Sequence, residues 1–427
     1  MTTVQRSKVK SRNWIAIVLL GFSGQIAWVV ENSWLNSYVH DIITPDPRVI
    51  SFMVAASAIT ATVTTLIMGT LSDRIGKRKA MIFFAYILWG ISTILIPLSG
   101  VAKSVGIAVF LVVLIDCVLT FFGATANDAC FNAWITDITD ETNRGFVSGI
   151  IEFFPLLAMV ITTVVSGIMI EILGYSIFFV SLGAVVIVCG IIGGLSLKEG
   201  IVSKPAQEIG FWKQLFSAFS KEHVKQNKKL FAVLTCMLIF TIAFQICMPY
   251  QIIYFTKTLG FSYDEIGIYL GSMTLLAGIC GVLYGYLVDR IGKPKLMIVA
   301  LIVSIIGYFC VSLATTMLTL CIAMFVMVFG MIARLVVSGA WIRDLTPEGE
   351  VGKIQGIRMV FWVLIPMVIG PFIGEKLIEF FGEAVVVNGR SGYLPSKEIF
   401  VAASLVTLLA FIPLRKFLKN SKNREQA

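Results

Sequence analysis

Long apolar segments alternate with short polar segments along the whole chain. Twelve apolar segments are long enough to cross roughly 30 Å of hydrocarbon as helices, so the pattern predicts an all-α membrane protein with twelve spans. We number them spans one to twelve, at residues 14–38, 50–72, 79–99, 105–135, 146–171, 176–197, 230–256, 264–288, 295–314, 317–342, 354–378 and 399–414.

Two polar landmarks occur in the same order in both halves of the chain. The basic turn at 69–79 recurs at 285–295, and the sequence Trp-Ile-x-Asp at 134–137 recurs at 341–344. Such a repeat predicts two related six-helix bundles produced by duplication. The predicted bundles comprise residues 1–197 and 230–427, joined by a cytoplasmic linker at 198–229. The apolar spacing within 211–219 predicts an amphipathic surface helix in that linker. The longest predicted outer segment, 379–398, is expected to be a plain loop or a short hairpin.

Composition and charge support the membrane assignment. The chain is 57% hydrophobic and 14% charged, with mean hydropathy +0.90, whereas soluble domains average about 25% charged residues. If both termini are cytoplasmic, 27 of the 34 Lys and Arg residues fall on the inner side and 6 on the outer side. The net charge of +9 therefore reflects topology, and no nucleic-acid partner is expected. The compact loops favour a prokaryotic plasma (inner) membrane, crossed many times.

Reactive side chains are sparse in this chain. All eight cysteines lie inside predicted spans without metal-ligand spacing, and there are only two histidines. The sequence has no metalloprotease motif, phosphate-binding loop or Ser–His pair at one depth. An enzyme is therefore not expected, and neither is a metal or another cofactor.

The motif G-x-x-x-D-R-x-G at 69–76, placed between spans two and three, resembles the signature of the major facilitator superfamily. The resemblance covers essentially the whole chain, and it implies two pseudo-symmetric bundles, alternating access around a central cavity and a monomeric protein. More narrowly, residues 24–48 and 249–261 resemble the sugar:cation symporters that include the sucrose transporters. This resemblance implies a small-molecule substrate such as a sugar or glycoside.

The resemblance also implies a conformational latch at the inner turns. In the family, the carboxylate equivalent to Asp73 lies at the N-terminus of span eleven, where it complements the positive helix end. Gly69 is expected to permit close helix approach, and Arg74 is expected to pair with an acid after span four. Asp137, Asp140 or Glu141 could serve as that acid, while Lys77, Arg78 and Lys79 are expected only to set topology. The predicted latch residues are Gly69, Asp73, Arg74, Gly76, Asp289 and Arg290.

Polar residues within the spans are the candidates for the transport site, because ionisable groups at membrane depth usually face a cavity or a partner. Asp116, Thr120, Gly123 and Asn127 share one face of span four. Trp28 offers an aromatic surface for a sugar ring. The candidate substrate-binding residues are Gln25, Trp28, Glu31, Asn32, Asn127, Asp128, Gln245, Tyr250, Gln251 and Arg334. The candidate proton-coupling residues are Glu31, Asp116, Asp128 and Glu152.

Proton-coupled symport of a sugar or glycoside is the function that these residues predict. The resemblance disfavours sodium coupling, because relatives that use sodium place two carboxylates one helical turn apart in span two, and residues 50–72 contain no such pair. A carboxylate that takes up and releases a proton near Arg334 is the simplest coupling device. The alternatives are a multidrug or metabolite:proton efflux antiporter, and a sensor of the same fold that binds its ligand without transporting it.

Overall fold

The membrane helices form where the hydrophobic pattern predicts them. The computed structural model describes residues 9–140, 143–199, 220–347 and 351–415. Within these residues, eleven helices are long and apolar enough to cross a membrane. One of them, Arg144–Ser196, supplies both span five and span six, because it is broken at Gly174, where the backbone φ is 77°. The predicted all-α membrane fold with twelve spans is confirmed.

The helices fall into two compact units, which consist of residues 1–43 with 59–208 and residues 44–58 with 209–427. Spans one, two and three are the helices Ser11–Tyr38, Pro47–Ile75 and Arg78–Leu95. Span four consists of Val105–Gly123 and Asn132–Ile138, and spans five and six belong to Arg144–Ser196. Those of the later part of the chain are Lys221–Gln226, Lys228–Cys247, Gln251–Ile253, Tyr263–Ile291, Lys293–Leu313, Met317–Leu345, Val351–Met359, Ile365–Phe381 and Glu398–Leu409. The amphipathic helix predicted at 211–219 lies outside the described residues.

Within the described residues, four membrane helices include or lead into a short segment of the wider π-helix. The segments are Val39–Ile43 directly after span one, Ala124–Phe131 in span four, Tyr254–Thr258 at the end of span seven and Val360–Leu364 in span eleven. A π-helical segment changes the direction of the side chains that follow it and is frequent at functional sites. The segments of spans one and seven begin at residues 39 and 254, nearly the offset of the two basic turns. The internal repeat therefore extends to the backbone geometry.

Glycines allow close contact between helices in both units. A Cβ atom built on Gly90 of span three would lie 2.6 Å from the Gly183 carbonyl oxygen of span six. In the second unit, a Cβ atom on Gly370 of span eleven would lie 2.5 Å from the Cβ atom of Gln245 in span seven. Real side chains do not approach so closely, so these backbones can meet only at glycine.

The segment after span eleven forms a β-hairpin, one of the two forms expected for it. Strand β1 (Ala384–Val387) pairs antiparallel with strand β2 (Arg390–Tyr393). The connecting residues Asn388 and Gly389 have φ values of 53° and 75°, as an Asn-Gly type I′ turn requires. The Tyr393 N–H donates to the Pro45 carbonyl oxygen at 3.2 Å, which attaches the hairpin to the turn before span two, in the same unit.

Candidate functional site

A buried pair of acids lies in the first unit, between spans one and four. Glu31 is 8% exposed and Asp116 is 2% exposed. The Thr120 hydroxyl donates to Glu31 Oε1 at 2.8 Å, so span four holds the Glu31 side chain in place. The two carboxyl groups are close enough to interact electrostatically. Among the described residues, Asp116 forms no ion pair, and its Oδ1 atom has no hydrogen-bond partner.

A second set of polar side chains lies beside this pair and is partly accessible. Gln25, Trp28, Asn32 and Asp128 are each half-buried, whereas Asn127 is buried. The Asn127 side-chain amide donates to Asp128 Oδ1 at 3.4 Å, and Trp28 lies within hydrogen-bonding reach of the Asp128 carboxylate. Together these residues form a partly accessible polar and aromatic surface on spans one and four. We call it the rim.

Span three supports the rim with two aromatic side chains that the sequence did not indicate. The Tyr86 hydroxyl donates to the Leu20 carbonyl oxygen at 2.7 Å and contacts Asn127 Oδ1 at 3.4 Å. The ring of Trp89 lies 5.2 Å from the ring of Trp28, measured between centroids. Both tyrosine and tryptophan are common in ordinary helix packing, so their spacing in span three gave no signal.

Glu152 is placed differently from the other three coupling candidates. It lies on span five of the same unit, and its side chain is exposed. Burial is what makes a carboxyl group sensitive to a neighbouring charge. Glu152 is therefore the weakest of the four candidates for proton coupling.

The second unit has a buried base, Arg334, in span ten. Its side chain is 1% exposed, and its guanidinium donates to the carbonyl oxygens of Phe240 and Gly330 and to the Tyr308 hydroxyl, at 3.2 to 3.3 Å. The guanidinium carbon also lies 4.7 Å from the centre of the Phe240 ring. Arg334 forms no ion pair within the described parts of the chain. Carbonyl dipoles and aromatic faces therefore stabilise its charge.

The remaining candidates of the second unit lie in its interior. Gln245 packs against Gly370, as noted above, and Gln251 is 4% exposed with no hydrogen-bond partner for Oε1. The Tyr250 hydroxyl lies 3.3 Å from the Pro47 carbonyl oxygen and 3.1 Å from that of Pro371. Tyr250 thus joins span seven to spans two and eleven. The role of the three side chains in substrate binding stays a prediction.

The basic turn between spans two and three is held by Arg78. Arg78 is buried; its guanidinium donates to the Asp137 carboxylate and to the Ser72 hydroxyl, and it pairs with Asp73 at 2.8 Å. Arg74, by contrast, is exposed. The assignment of Arg78 to topology alone is therefore wrong. The backbone path of the turn decides which of its neighbouring basic side chains is directed into the protein, and the sequence does not show that path.

The glycines of this turn differ in what they require. Gly76 has a backbone φ of 68°, and Gly292, at the same place in the second copy, has 101°. Side chains are rarely tolerated in this region, so both turns need glycine. Among the described residues, no atom outside the helix's own nearby backbone lies within 4 Å of a Cβ atom built on Gly69. The close helix approach expected at Gly69 stays a prediction.

The second basic turn has looser contacts than the first. Lys293 pairs with Asp344, whose side chain is 56% exposed. The Arg290 guanidinium lies over the exposed ring of Tyr286, 4.3 Å from its centre. The side chain of Asp289 lies outside the described residues, as do Glu141 and its predicted latch contact.

Comparison with known proteins agrees with this geometry. The major facilitator superfamily pattern matches residues 14–256 and 233–427. The chain belongs to the major facilitator superfamily. Its members among the matched proteins are transporters, and this chain is accordingly a membrane transporter and not an enzyme.

Similar sequences come from bacterial efflux proteins of this superfamily. Sugar efflux transporter A of Dickeya chrysanthemi is 26% identical over 69% of this chain and 71% of its own length. Sugar efflux transporter B of Salmonella typhimurium is 24% identical over 71% and 74%. The multi-drug resistance efflux pump PmrA homolog of Lactococcus lactis subsp. lactis is 22% identical over 67% and 68%.

Solved structures of the superfamily share the fold at low sequence identity. The nucleoside transporter NupG aligns over 96% of this chain and all of its own, with a TM-score of 0.73 and 11% identity. A D-xylose–proton symporter aligns over 93% of this chain and 97% of its own, with a TM-score of 0.69 and 14% identity.

Proposed function

We propose that this transporter exports a sugar or small glycoside and that protons entering in exchange drive the export. The buried pair of Glu31 and Asp116 carries the proposal. Asp116 lies almost fully buried beside a second acid and has no ion pair among the described residues. A carboxyl group in that position is suited to binding and releasing a proton.

The physics of the pair favours a single shared negative charge. Two carboxylates buried side by side repel each other strongly, because little solvent screens their charges. A proton bound by either carboxyl group relieves this repulsion. Loss or gain of that proton changes the charge of the pair, and with it the hydrogen bond that Thr120 donates to Glu31. Proton binding can thus alter the contact between spans one and four.

The rim supplies the chemistry that a sugar needs. Asp128, Asn127 and Gln25 offer acceptors and donors for hydroxyl groups, and Trp28 offers an aromatic face for the C–H surface of a ring. These side chains are half-buried or lie next to half-buried ones. Two of the similar proteins described above are sugar efflux transporters, which supports a sugar as the substrate.

The similar proteins support export more strongly than the geometry of the site does. The resemblance of span one to sugar:cation symporters predicted symport, and the same acid pair could serve either exchange or symport. The similar efflux proteins favour exchange. The excess of Lys and Arg on one side supports cytoplasmic termini in an inner membrane.

Uptake into proteoliposomes under opposite pH gradients tests the proposal. An exchanger accumulates labelled lactose, sucrose or a methyl glycoside when the vesicle interior is acidic, whereas a symporter does so when the exterior is acidic. Accumulation only with an acidic interior supports export. Accumulation only with an acidic exterior overturns exchange and restores symport, and sugar binding without flux under either gradient identifies a sensor.

The variant Glu31→Gln locates the coupling site in the same assay. It should abolish accumulation driven by the gradient but retain exchange of labelled for unlabelled sugar, because the neutral amide keeps the shape of the site. Glu171→Gln, which changes an exposed acid of the same unit, is the matched control. Full accumulation by Glu31→Gln would show that the proton binds elsewhere.

Multidrug export is a second candidate, because one similar protein is a multidrug efflux pump. A buried acid pair beside an aromatic rim also suits a lipophilic cation. Cells lacking their own pumps and expressing this protein should be tested for resistance to ethidium and for export of labelled sugar. Resistance that disappears in Asp128→Asn without any sugar flux would favour this function over sugar export.

A further inference from the structure

Trp89 of span three has a buried hydrogen-bond donor that the fold does not use. Its side chain is completely buried, and its indole Nε1 has no hydrogen-bond partner in the part of the chain that the structure describes. Buried indole N–H groups usually find an acceptor. Trp134, equally buried in the same unit, shows the usual arrangement, because its Nε1 donates to the Lys198 carbonyl oxygen at 2.9 Å.

The unpaired N–H group lies next to the candidate transport site. A Cβ atom built on Gly123 would lie 2.8 Å from Trp89 Cε2, the carbon bonded to Nε1. The Cε2–Cζ2 edge of the ring, to which the N–H group is attached, therefore runs along the backbone of Gly123. Gly123 belongs to the polar face of span four that also carries Asp116, Thr120 and Asn127.

Trp28 packs on the Trp89 ring beside the same glycine. Its ring lies 5.2 Å from that of Trp89 with 53° between the ring planes. Its Cη2 atom lies 3.2 Å from a Cβ atom built on Gly123. Trp28 is half-buried at the rim while Trp89 behind it is inaccessible. A rotation of the Trp28 side chain is the direct way to expose the Trp89 N–H group to a molecule at the rim.

We propose that Trp89 is a specificity-determining residue of the transport site, whose indole N–H donates to a sugar hydroxyl oxygen when Trp28 moves aside. This inference rests on the proposed sugar transport. A site with an otherwise unpaired donor discriminates strongly against ligands that lack the matching acceptor. The sugar hydroxyl thus replaces an unsatisfied donor with a hydrogen bond, and Trp28 is free to stack on the sugar ring.

The test compares Trp89→Phe with the matched control Trp134→Phe. Both variants remove an indole N–H group from a fully buried ring, but only Trp134 uses its N–H group in the resting protein. We expect Trp89→Phe to raise the KM for the transported sugar by about tenfold, the loss of one hydrogen bond to a ligand, without changing the maximal rate. Trp134→Phe should leave KM unchanged and should lower the melting temperature more than Trp89→Phe does.

Deoxy sugars separate a binding role of Trp89 from a purely structural one, because a structural role would not change how the transporter discriminates between a sugar and its deoxy analogues. For the wild type, one monodeoxy analogue should have a KM about tenfold above that of the parent sugar. For Trp89→Phe, the parent and this analogue should have equal KM values, because the donor is already missing. The inference is wrong if Trp89→Phe has the same KM as the wild type. It is also wrong if, in Trp89→Phe, every deoxy analogue raises KM over that of the parent sugar as much as in the wild type. Absence of sugar binding and transport in the wild type would instead refute the proposed function.

Discussion

The two units carry related turns and related backbone interruptions but bury different sets of ionisable side chains. The first unit buries the acids Glu31 and Asp116, which interact electrostatically. The second buries Arg334, which is surrounded by carbonyl oxygens and aromatic rings. An acid pair can gain or lose a proton at modest free-energy change, whereas a guanidinium stays charged. The comparison shows that the two halves share a scaffold and differ in the ionisable side chains that they bury.

The two basic turns also differ in how firmly each holds its basic side chain. In the first copy, Arg78 is buried and donates to several partners at once. In the second copy, proline stands at position 294, where the repeat would place the equivalent of Arg78, and Lys293 pairs with the exposed Asp344 instead. A planar guanidinium can bridge several acceptors, whereas an exposed ammonium–carboxylate pair contributes little.

The largest expected effect comes from neutralising the acid pair. Asp116→Asn should reduce accumulation driven by the proton gradient by more than about tenfold, as expected when a coupling free energy of a few kcal/mol is lost. Accumulation by the variant should no longer depend on whether the vesicle interior is acidic. Proteoliposome uptake at several pH values measures both. An unchanged response to the gradient would place the coupling proton on another residue.

Arg334→Met should impair stability first and coupling second, the reverse of Asp116→Asn. Removing the guanidinium leaves the Phe240 and Gly330 carbonyl oxygens and the Tyr308 hydroxyl without their donor. Each lost partner costs about 1 kcal/mol, so the variant should be destabilised by about 3 kcal/mol. Thermal melting in detergent measures this loss. Arg334→Lys, which keeps the charge but not the planar donors, should be intermediate. A variant with normal stability and no transport would instead indicate that Arg334 binds the substrate.

The turns should respond unequally to loss of the basic residue. Arg78→Ala leaves the Asp137 carboxylate, which is 9% exposed, without its partner and should cost about 3 kcal/mol. Lys293→Ala removes a pair whose acid is mostly exposed, and it should cost less than about 1 kcal/mol. Melting of both variants in the same detergent makes the comparison. Equal losses would contradict the difference in burial between the two turns.

The smallest expected effects concern the glycines of the first turn. Gly76→Ala places a side chain on a left-handed residue and should cost about 1 kcal/mol. Gly69→Ala is helical with open space around the new methyl group, so it should be neutral or stabilising by up to about 1 kcal/mol. If Gly69→Ala abolishes transport while the protein remains stable, the close approach expected at Gly69 occurs in another conformational state.

Much of the candidate site was accessible from the sequence, but its key partners were not. The shared face of Asp116 and Thr120 follows from helical periodicity alone. The contact between Thr120 and Glu31 joins residues 89 positions apart in the chain, and no local pattern predicts it. Trp89 was missed for the same reason, since an aromatic residue in an apolar span has no distinguishing sequence signal. Arg78 was misassigned because its burial depends on the path of the turn.

The sequence alone determined the twelve spans, the duplication and the presence of acids and a base at membrane depth. These properties follow from local chemistry, since hydrocarbon requires apolar helices and makes any charge within them costly. Only the tertiary structure decided which charges meet, which donors stay unpaired and which side chains remain accessible. Those outcomes depend on helix contacts between residues far apart in the chain and on π-helical segments that redirect side chains. They therefore exist only once the helices are packed.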